Sequence, residues 1–202
     1  MSIKSSIAGF VRGSSVEKDV ETTKFGDLLV AQGLPPYAAL APYGWSAMAT
    51  AAVAALVVRP STAAMATLWN GEGTGGKSYV MDRAFAHNLV GTANSVYGLW
   101  LCVHKVMAAA TNDITARASH IGLGGYSGMS AFDNGATVVA DGWFPWGKSG
   151  HTVTITTPGE QLEALIEGRL IVPPQQGISI HVVADVVGAT FTAGFSWFEV
   201  QL

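Results

Sequence analysis

The feature that most constrains the fold is a series of short apolar segments separated by turn signals at spacings of roughly ten residues. The stretch "HTVTITTPG" (151–159) alternates Thr and Val at the two-residue period of a strand. Later, "GISIHVVADVV" and "ATFTAGFSWFEVQL" are set apart by the turn-forming stretches "PPQQG" and "VGA". The pattern predicts an all-β antiparallel sandwich, with a jelly roll as the expected topology.

Two parts of the chain depart from this pattern. The stretch "PGEQLEALIEG" (158–168) places Leu162, Leu165 and Ile166 on one side, which predicts one short helix near 159–167. Residues 1–24 are polar, with balanced charges and no sustained period, which predicts an extended N-terminal arm lying on a neighbouring molecule. The expected organisation is an arm over 1–24 and a β-sandwich domain over 25–202.

The chain is unusually poor in charge. Charged residues make up 12% of the 202 residues and hydrophobic residues 49%, whereas a soluble domain has roughly 25% charged residues. Much of the surface is therefore expected to face other protein, as in a subunit of an assembly; a free monomer with a Ser/Thr/Asn-rich surface is the alternative. The net charge of −3 and the lack of a basic run argue against a nucleic-acid partner.

The cysteine count and the apolar segments bear on the redox state and the cellular location of the chain. The lone cysteine, Cys102, excludes an intrachain disulfide framework. The opening residues do not form a signal peptide, so we expect synthesis in a cytoplasm. The charge-free stretch 28–58 is broken by prolines, and its apolar run over 47–58 is shorter than the roughly 20 residues of a spanning helix, so no membrane partner is expected.

Residues 71–78, "GEGTGGKS", match the phosphate-binding P-loop pattern. A P-loop enzyme is therefore one hypothesis, and it requires a helix that starts at the end of this loop. The alternative is a glycine-rich hairpin loop whose tip carries a hydrated Lys77, so that replacing Lys77 would cost less than about 0.5 kcal/mol. The β-rich remainder of the chain favours the hairpin.

Other residue types with catalytic or binding chemistry are scattered. The sequence around Ser127 lacks the glycine placement of a nucleophile elbow. The aromatic segments "GWFPW" (142–146) and "FSWFE" (195–199) are expected to fill the core or a subunit seam, with sugar binding as the alternative. The five histidines have no zinc spacing: His87, His104, His120, His151 and His181. No catalytic, cofactor-binding or metal-binding residue is predicted, and no cofactor.

Two long segments resemble bacteriophage virion proteins. In "ATLWNGEGTGGKSYVMDRAF" a strand ends in Trp-Asn, a glycine-rich loop follows and an apolar strand returns. The stretch "EGRLIVPPQQGISIHVVADVVGATFTAGFSWFEVQL" is similar to the closing strands of these proteins, and "FGDLLVAQGLPPYAALAPYGW" to their opening segment. The resemblance covers most of residues 25–202.

This resemblance implies a non-enzymatic structural protein of a phage particle. It would be a capsid decoration or cement protein, or a head-fibre or tail-associated module, packed as a trimeric β-sandwich against its own copies and against neighbouring virion proteins such as the major capsid protein. The implied location is the virion, after synthesis in the host cytoplasm. A fibre or receptor-binding module that uses the aromatic loops is the alternative within this class.

Overall fold

The chain folds into two antiparallel β-sheets that lie face to face. The computed structural model describes residues 44–61, 63–92, 94–104, 114–119, 130–134, 142–147, 149–152 and 161–201. The predicted N-terminal arm and the boundary at residue 25 lie outside these residues. Within them the chain forms strands and no helix. The strands are β1 (Gly44–Met48), β2 (Val53–Ala54), β3 (Ala66–Asn70), β4 (Ser78–Val90), β5 (Ser95–His104), β6 (Arg117–Ala118), β7 (Ser130–Asn134), β8 (Phe144–Pro145), β9 (Gly150–Thr152), β10 (Gln161–Leu165), β11 (Ile171–Val172), β12 (Gly177–Ala184) and β13 (Thr190–Val200).

The strand order identifies a jelly roll. The first sheet has the order β10-β4-β13-β1-β6, with β11 also beside β4 and β2 beside β13. The second has the order β7-β3-β12-β5-β8, with β9 also beside β5. The pairs are nested along the chain: β1 with β13, β3 with β12, β4 with β10, and β5 with β8 and β9. A long hairpin rolled so that successive pairs alternate between two sheets gives this order. The predicted sandwich and its jelly-roll topology are confirmed.

The core lies between the sheets and follows from strand alternation. Phe191, Phe195 and Trp197, on alternate positions of β13, are fully buried. Phe195 meets Phe132 edge to face at 5.6 Å between ring centroids, and Phe191 meets Tyr97 in the same way at 5.0 Å. Burying each such side chain contributes about 1.5–3 kcal/mol, so these rings are a principal link between the sheets.

The short helix predicted near 159–167 is wrong where the structure describes it. Residues 161–165 form β10, which pairs with β4 in antiparallel register from Gln161 opposite His87 to Leu165 opposite Arg83. Leu162 and Ala164 face the core, and Leu165, expected on the apolar side of a helix, is 50% exposed. The apolar residues of this segment fit both periods, and the open edge of β4 decides for the strand.

The registers also define two ends of the sandwich. Strand β4 begins beside the end of β13, with Ser78 opposite Val200, and finishes beside its start, with Val90 opposite Thr190. In the second sheet β12 runs from a position opposite His104 to one opposite Tyr97. One end therefore carries residues 70–78, 173–177 and 199–201, and the other carries residues 54–58, 88–92, 94–96 and 183–190.

Candidate assembly surface

The first end is built around the glycine-rich loop, residues 71–77. This loop joins β3 in the second sheet to β4 in the first, and these two strands do not pair. The prediction of a hairpin is therefore wrong, because the loop crosses from one sheet to the other. The crossing places the loop against the turn that precedes β12.

Asn70 fixes the start of this loop. Its side chain is fully buried, and the amide nitrogen donates hydrogen bonds to the carbonyl oxygens of Lys77 and Val172, each at 2.9 Å. The amide oxygen accepts the backbone N–H of Glu72 at 3.1 Å. One side chain thus joins both ends of the loop to β11, and each of these buried polar groups has a partner.

The loop presents its carbonyl oxygens to side-chain donors. The amide of Gln175 donates to the carbonyl oxygens of Gly71 and Glu72, at 3.3 and 2.8 Å. The amide of Gln201 donates to Gly75. A phosphate-binding loop points its backbone N–H groups at the ligand. This loop instead points carbonyl oxygens at its partners, and carbonyl oxygens repel a phosphate. The loop is thereby tied to two distant parts of the chain.

Lys77 does not stand free at the loop tip. Its ammonium donates to the carboxylate of Glu199 at 3.0 Å; the Glu199 side chain is 1% exposed and that of Lys77 40%. The expectation of a merely hydrated lysine is wrong, because β13 brings a buried carboxylate to this point. Ser78 begins strand β4. The helix that the P-loop hypothesis requires is therefore not present at residues 78–90.

The aromatic segment 142–146 is held against the second sheet. Trp143 is 3% exposed and its indole N–H donates to the carbonyl oxygen of Ser61 at 3.2 Å. The ring of Trp146 lies 5.6 Å from that of Phe144, and the guanidinium of Arg169 lies 5.4 Å from its centroid. The described rings of this segment are engaged in packing or stacking.

The second aromatic segment, 195–199, lies in β13. Phe195 and Trp197 are fully buried between the sheets, and Phe198, on the opposite face, is 8% exposed. The prediction that these aromatics fill the core is confirmed for Phe195 and Trp197. The aromatic residues that suggested a sugar-binding platform in this segment include Phe195 and Trp197, which occupy alternate, core-facing positions of a buried strand.

A buried polar cluster lies on the outward side of the second sheet. The hydroxyl of Ser179 is 2.7 Å from both Thr67 Oγ1 and His104 Nε2, and His104 Nδ1 is 3.8 Å from Cys102 Sγ. Burial lowers the pKa of His104 to about 4, because the imidazolium would lose its hydration. Ser179 and His104 are 0% and 3% exposed, so their hydrogen bond cross-links β12 to β5.

The other histidines are spread over the fold. His181 is buried in β12, where loss of hydration lowers its pKa and its Nδ1 lies 2.9 Å from the Val182 carbonyl oxygen. His87 is half-buried in β4, His151 belongs to β9, and His120 lies outside the described residues. Among the residues that are described, no three His, Cys, Asp or Glu side chains form a group that could hold a metal ion.

The second end of the sandwich carries the largest group of exposed apolar side chains in the described residues. Seven of the eleven exposed large hydrophobic residues lie there. We call this group the apolar end; it consists of Val57 (46% exposed), Val58 (64%), Leu89 (43%), Val90 (52%), Val96 (51%), Val186 (39%) and Val187 (73%). Large exposed apolar patches are typical of interaction sites.

Backbone hydrogen bonds bring the three segments of the apolar end together. The N–H of Leu56 donates to Val182 at 3.0 Å, and that of Ala184 donates back to Leu56 at 2.7 Å. The N–H of Asp185 donates to Val96 at 3.2 Å. Residues beside Val57, Val186 and Val96 are therefore directly bonded, and the backbone segments that carry these valines lie next to one another.

This surface holds little charge. Residues 54–58, 88–92, 94–96 and 183–190 contain one ionisable side chain, that of Asp185, and Arg59 directly follows Val58. The Asp185 carboxylate accepts the Ser95 hydroxyl at 2.7 Å and the Val96 N–H at 3.0 Å. These hydrogen bonds hold its pKa below the usual range. The charge is therefore satisfied within the chain.

Sequence reasoning missed the apolar end because its members come from three distant segments. Two twin-valine pairs, in "ALVVRP" and "ADVVGA", were the available signal. Each pair sits beside a turn-forming residue, where apolar side chains have no strand neighbour to cover them.

Comparison with known proteins found no match: no family model, no curated protein and no solved structure is similar to this chain. In the part of the chain that the structure describes, no helix is long and apolar enough to cross a membrane.

Proposed function

We propose that this chain is a non-enzymatic structural component of a bacteriophage particle, which stabilises or decorates the capsid through oligomeric packing of its β-sandwich. The observation that carries the proposal is the apolar end. Seven exposed aliphatic side chains at one end of the sandwich, with few charged groups beside them, are a cost to a free protein and a gain to a protein that buries them against a neighbour.

Three further observations support this role. The jelly roll is a rigid scaffold with few free edges, which suits a particle component. The charged fraction of 12% leaves much of the surface suited to protein contact. The stretches around residues 66–85 and 167–202 resemble phage virion proteins. Fold alone does not specify a function, so the surface chemistry and the resemblance carry the argument.

The proposed partners are further copies of the chain, as a homotrimer, and neighbouring virion proteins such as the major capsid protein. Burying apolar surface contributes roughly 25 cal/mol per Å² removed from water. A protein bound in this way adds contacts across capsid subunits without any reaction. The chain would be made in the host cytoplasm and reside in the virion.

Mass spectrometry of purified particles tests the proposal. Particles produced from the genome that encodes the chain should contain it at a fixed ratio to the major capsid protein, and the ratio should survive repeated density-gradient purification. A chain found only in the soluble fraction of infected cells, and absent from purified particles, would contradict the proposal.

A further inference from the structure

We infer that copies of this chain associate through the apolar end, with the apolar end of one copy packed against that of the next about a shared symmetry axis. The inference rests on the proposed function, because it names the contact by which the oligomer forms. The proposed partner of the apolar end is a second copy of this chain.

The chemistry of the surface points to self-association. Close to a shared symmetry axis the same residues of the neighbouring copies meet, so any uncompensated charge there would face a like charge. The three segments of the apolar end contain only Asp185 as an ionisable group, and Ser95 and Val96 already provide its hydrogen bonds. An aliphatic surface whose one carboxylate, that of Asp185, lies at its rim can therefore meet its own copy with little repulsion. It offers no ion pair to a charged partner.

The size of the surface is also adequate. The seven side chains, exposed by 39% to 73%, present on the order of 500 Å². A stable interface buries roughly 800 Å² per partner, with an apolar centre and a polar rim. The apolar end supplies that centre. Polar groups beside it, such as Thr92, Asn94 and Asp185, are placed to form the rim.

Charge substitutions at the apolar end test the inference. The proteins compared by sedimentation velocity are the wild type, Val187→Asp, Val96→Lys and the control Val103→Lys. Val96 and Val103 lie on the same strand, β5, and are 51% and 42% exposed, but Val103 lies at the opposite end of the sandwich. The wild type and Val103→Lys should both sediment as trimers at micromolar concentration.

Val187→Asp and Val96→Lys should each raise the dissociation constant about thirtyfold or more, because each places a charge inside an apolar contact. Far-ultraviolet circular dichroism should be unchanged for all four proteins. Val187 lies in a turn and Val96 in a strand, so the two variants test folding and association at separate positions. Wild-type association by both folded variants would overturn the inference, and so would a monomeric wild type.

Particle analysis separates this inference from the proposed function. If the wild type is a monomer yet purified particles contain it, the self-contact is wrong and the virion role stands. If the chain associates through the apolar end but is absent from particles, the self-contact stands and the virion role is wrong. Loss of Val187→Asp from particles while the free wild type is monomeric would assign the surface to a different virion protein and overturn the self-contact.

Discussion

The two ends of the jelly roll solve opposite problems. At the glycine-loop end, polar groups are matched within the chain: Asn70 serves three backbone groups, and Lys77 pairs with the buried Glu199. At the other end, the seven side chains of the apolar end stay exposed, and the one nearby carboxylate is bonded to its own chain. The glycine-loop end is cross-linked by these polar contacts, and the other end leaves apolar side chains available for contact.

The difference teaches that stability and association can be assigned to separate surfaces of one small sandwich. A change at the glycine-loop end should weaken folding and leave association of the folded chain intact. A change at the apolar end should do the reverse.

The largest expected effect is at Asn70. Asn70→Ala leaves the carbonyl oxygens of Lys77 and Val172 and the N–H of Glu72 without the partner they have in the wild type. We expect the free energy of unfolding to fall by about 3 kcal/mol, measured by denaturant titration of a monomeric background such as Val187→Asp. The control is Thr74→Ala in the same loop, where Thr74 is exposed and the change should stay within about 0.5 kcal/mol. Equal effects of the two variants would contradict the role of Asn70.

Lys77→Met should have the next largest effect on the free energy of unfolding. It leaves the Glu199 carboxylate, which is 1% exposed, without its ammonium partner, so the free energy of unfolding should fall by about 2 kcal/mol. A second change, Glu199→Gln, removes the buried charge. The double variant should therefore be more stable than Lys77→Met alone. Simple addition of the two single effects would show that the pair is not coupled.

Lowering the pH should also affect the two ends differently, because it should reduce stability and leave association unchanged. The folded pKa of His104 is about 4, whereas an unfolded histidine titrates near 6.5. Between these values the unfolded chain binds more protons, so the free energy of unfolding falls as the pH falls through this window and is unaffected above it. Because His104 lies at the glycine-loop end, we expect a loss of roughly 2 kcal/mol in stability and no change in association at the apolar end.

Denaturant titrations at pH 4.5 and 7 measure this loss, with His104→Gln as the control. Glutamine keeps a hydrogen-bonding group toward Ser179 but does not titrate. The smaller pH dependence that remains is expected to come from His181, whose pKa is also lowered by burial. A slope that is identical in the wild type and in His104→Gln would exclude His104 as its source.

The smallest effect on folding should come from the apolar end. Val58→Ser and Val187→Ser change side chains that are 64% and 73% exposed, so each should alter the unfolding free energy of the monomeric chain by no more than about 0.5 kcal/mol. The same substitutions should weaken association in sedimentation experiments. Strong destabilisation of the monomer would mean that these valines support the fold rather than a contact.

The sequence predicted the strands whose periodicity is continuous. The segments that form β12 and β13 were recognised as strands set apart by turn-forming residues. The segment 161–165 was misassigned because Leu162, Leu165 and Ile166 fit a helical face as well as a strand. The vacant edge of β4 decides the outcome, and local sequence does not contain that information.

The contacts that define the two ends join residues that lie far apart in the sequence. The glycines of 71–77 indicate a turn, but not that the next strand joins the other sheet. Lys77 and Glu199 are 122 positions apart, so their ion pair follows only from the nested strand order. The apolar end is likewise assembled from three segments, and only the twin valines hinted at it. Periodicity therefore predicted the layers, whereas the topology determines which side chains meet.

Hydroxyl-radical footprinting of intact particles tests the central claim most directly. Oxidation of the apolar-end side chains, read by mass spectrometry, is compared between the chain in particles and the monomeric Val187→Asp variant in solution. The account predicts strong protection in particles of Val57, Val58, Leu89, Val90, Val96 and Val186, with Val103 reacting similarly in both. Equal reactivity of the apolar end in particles and in the free monomer would contradict it.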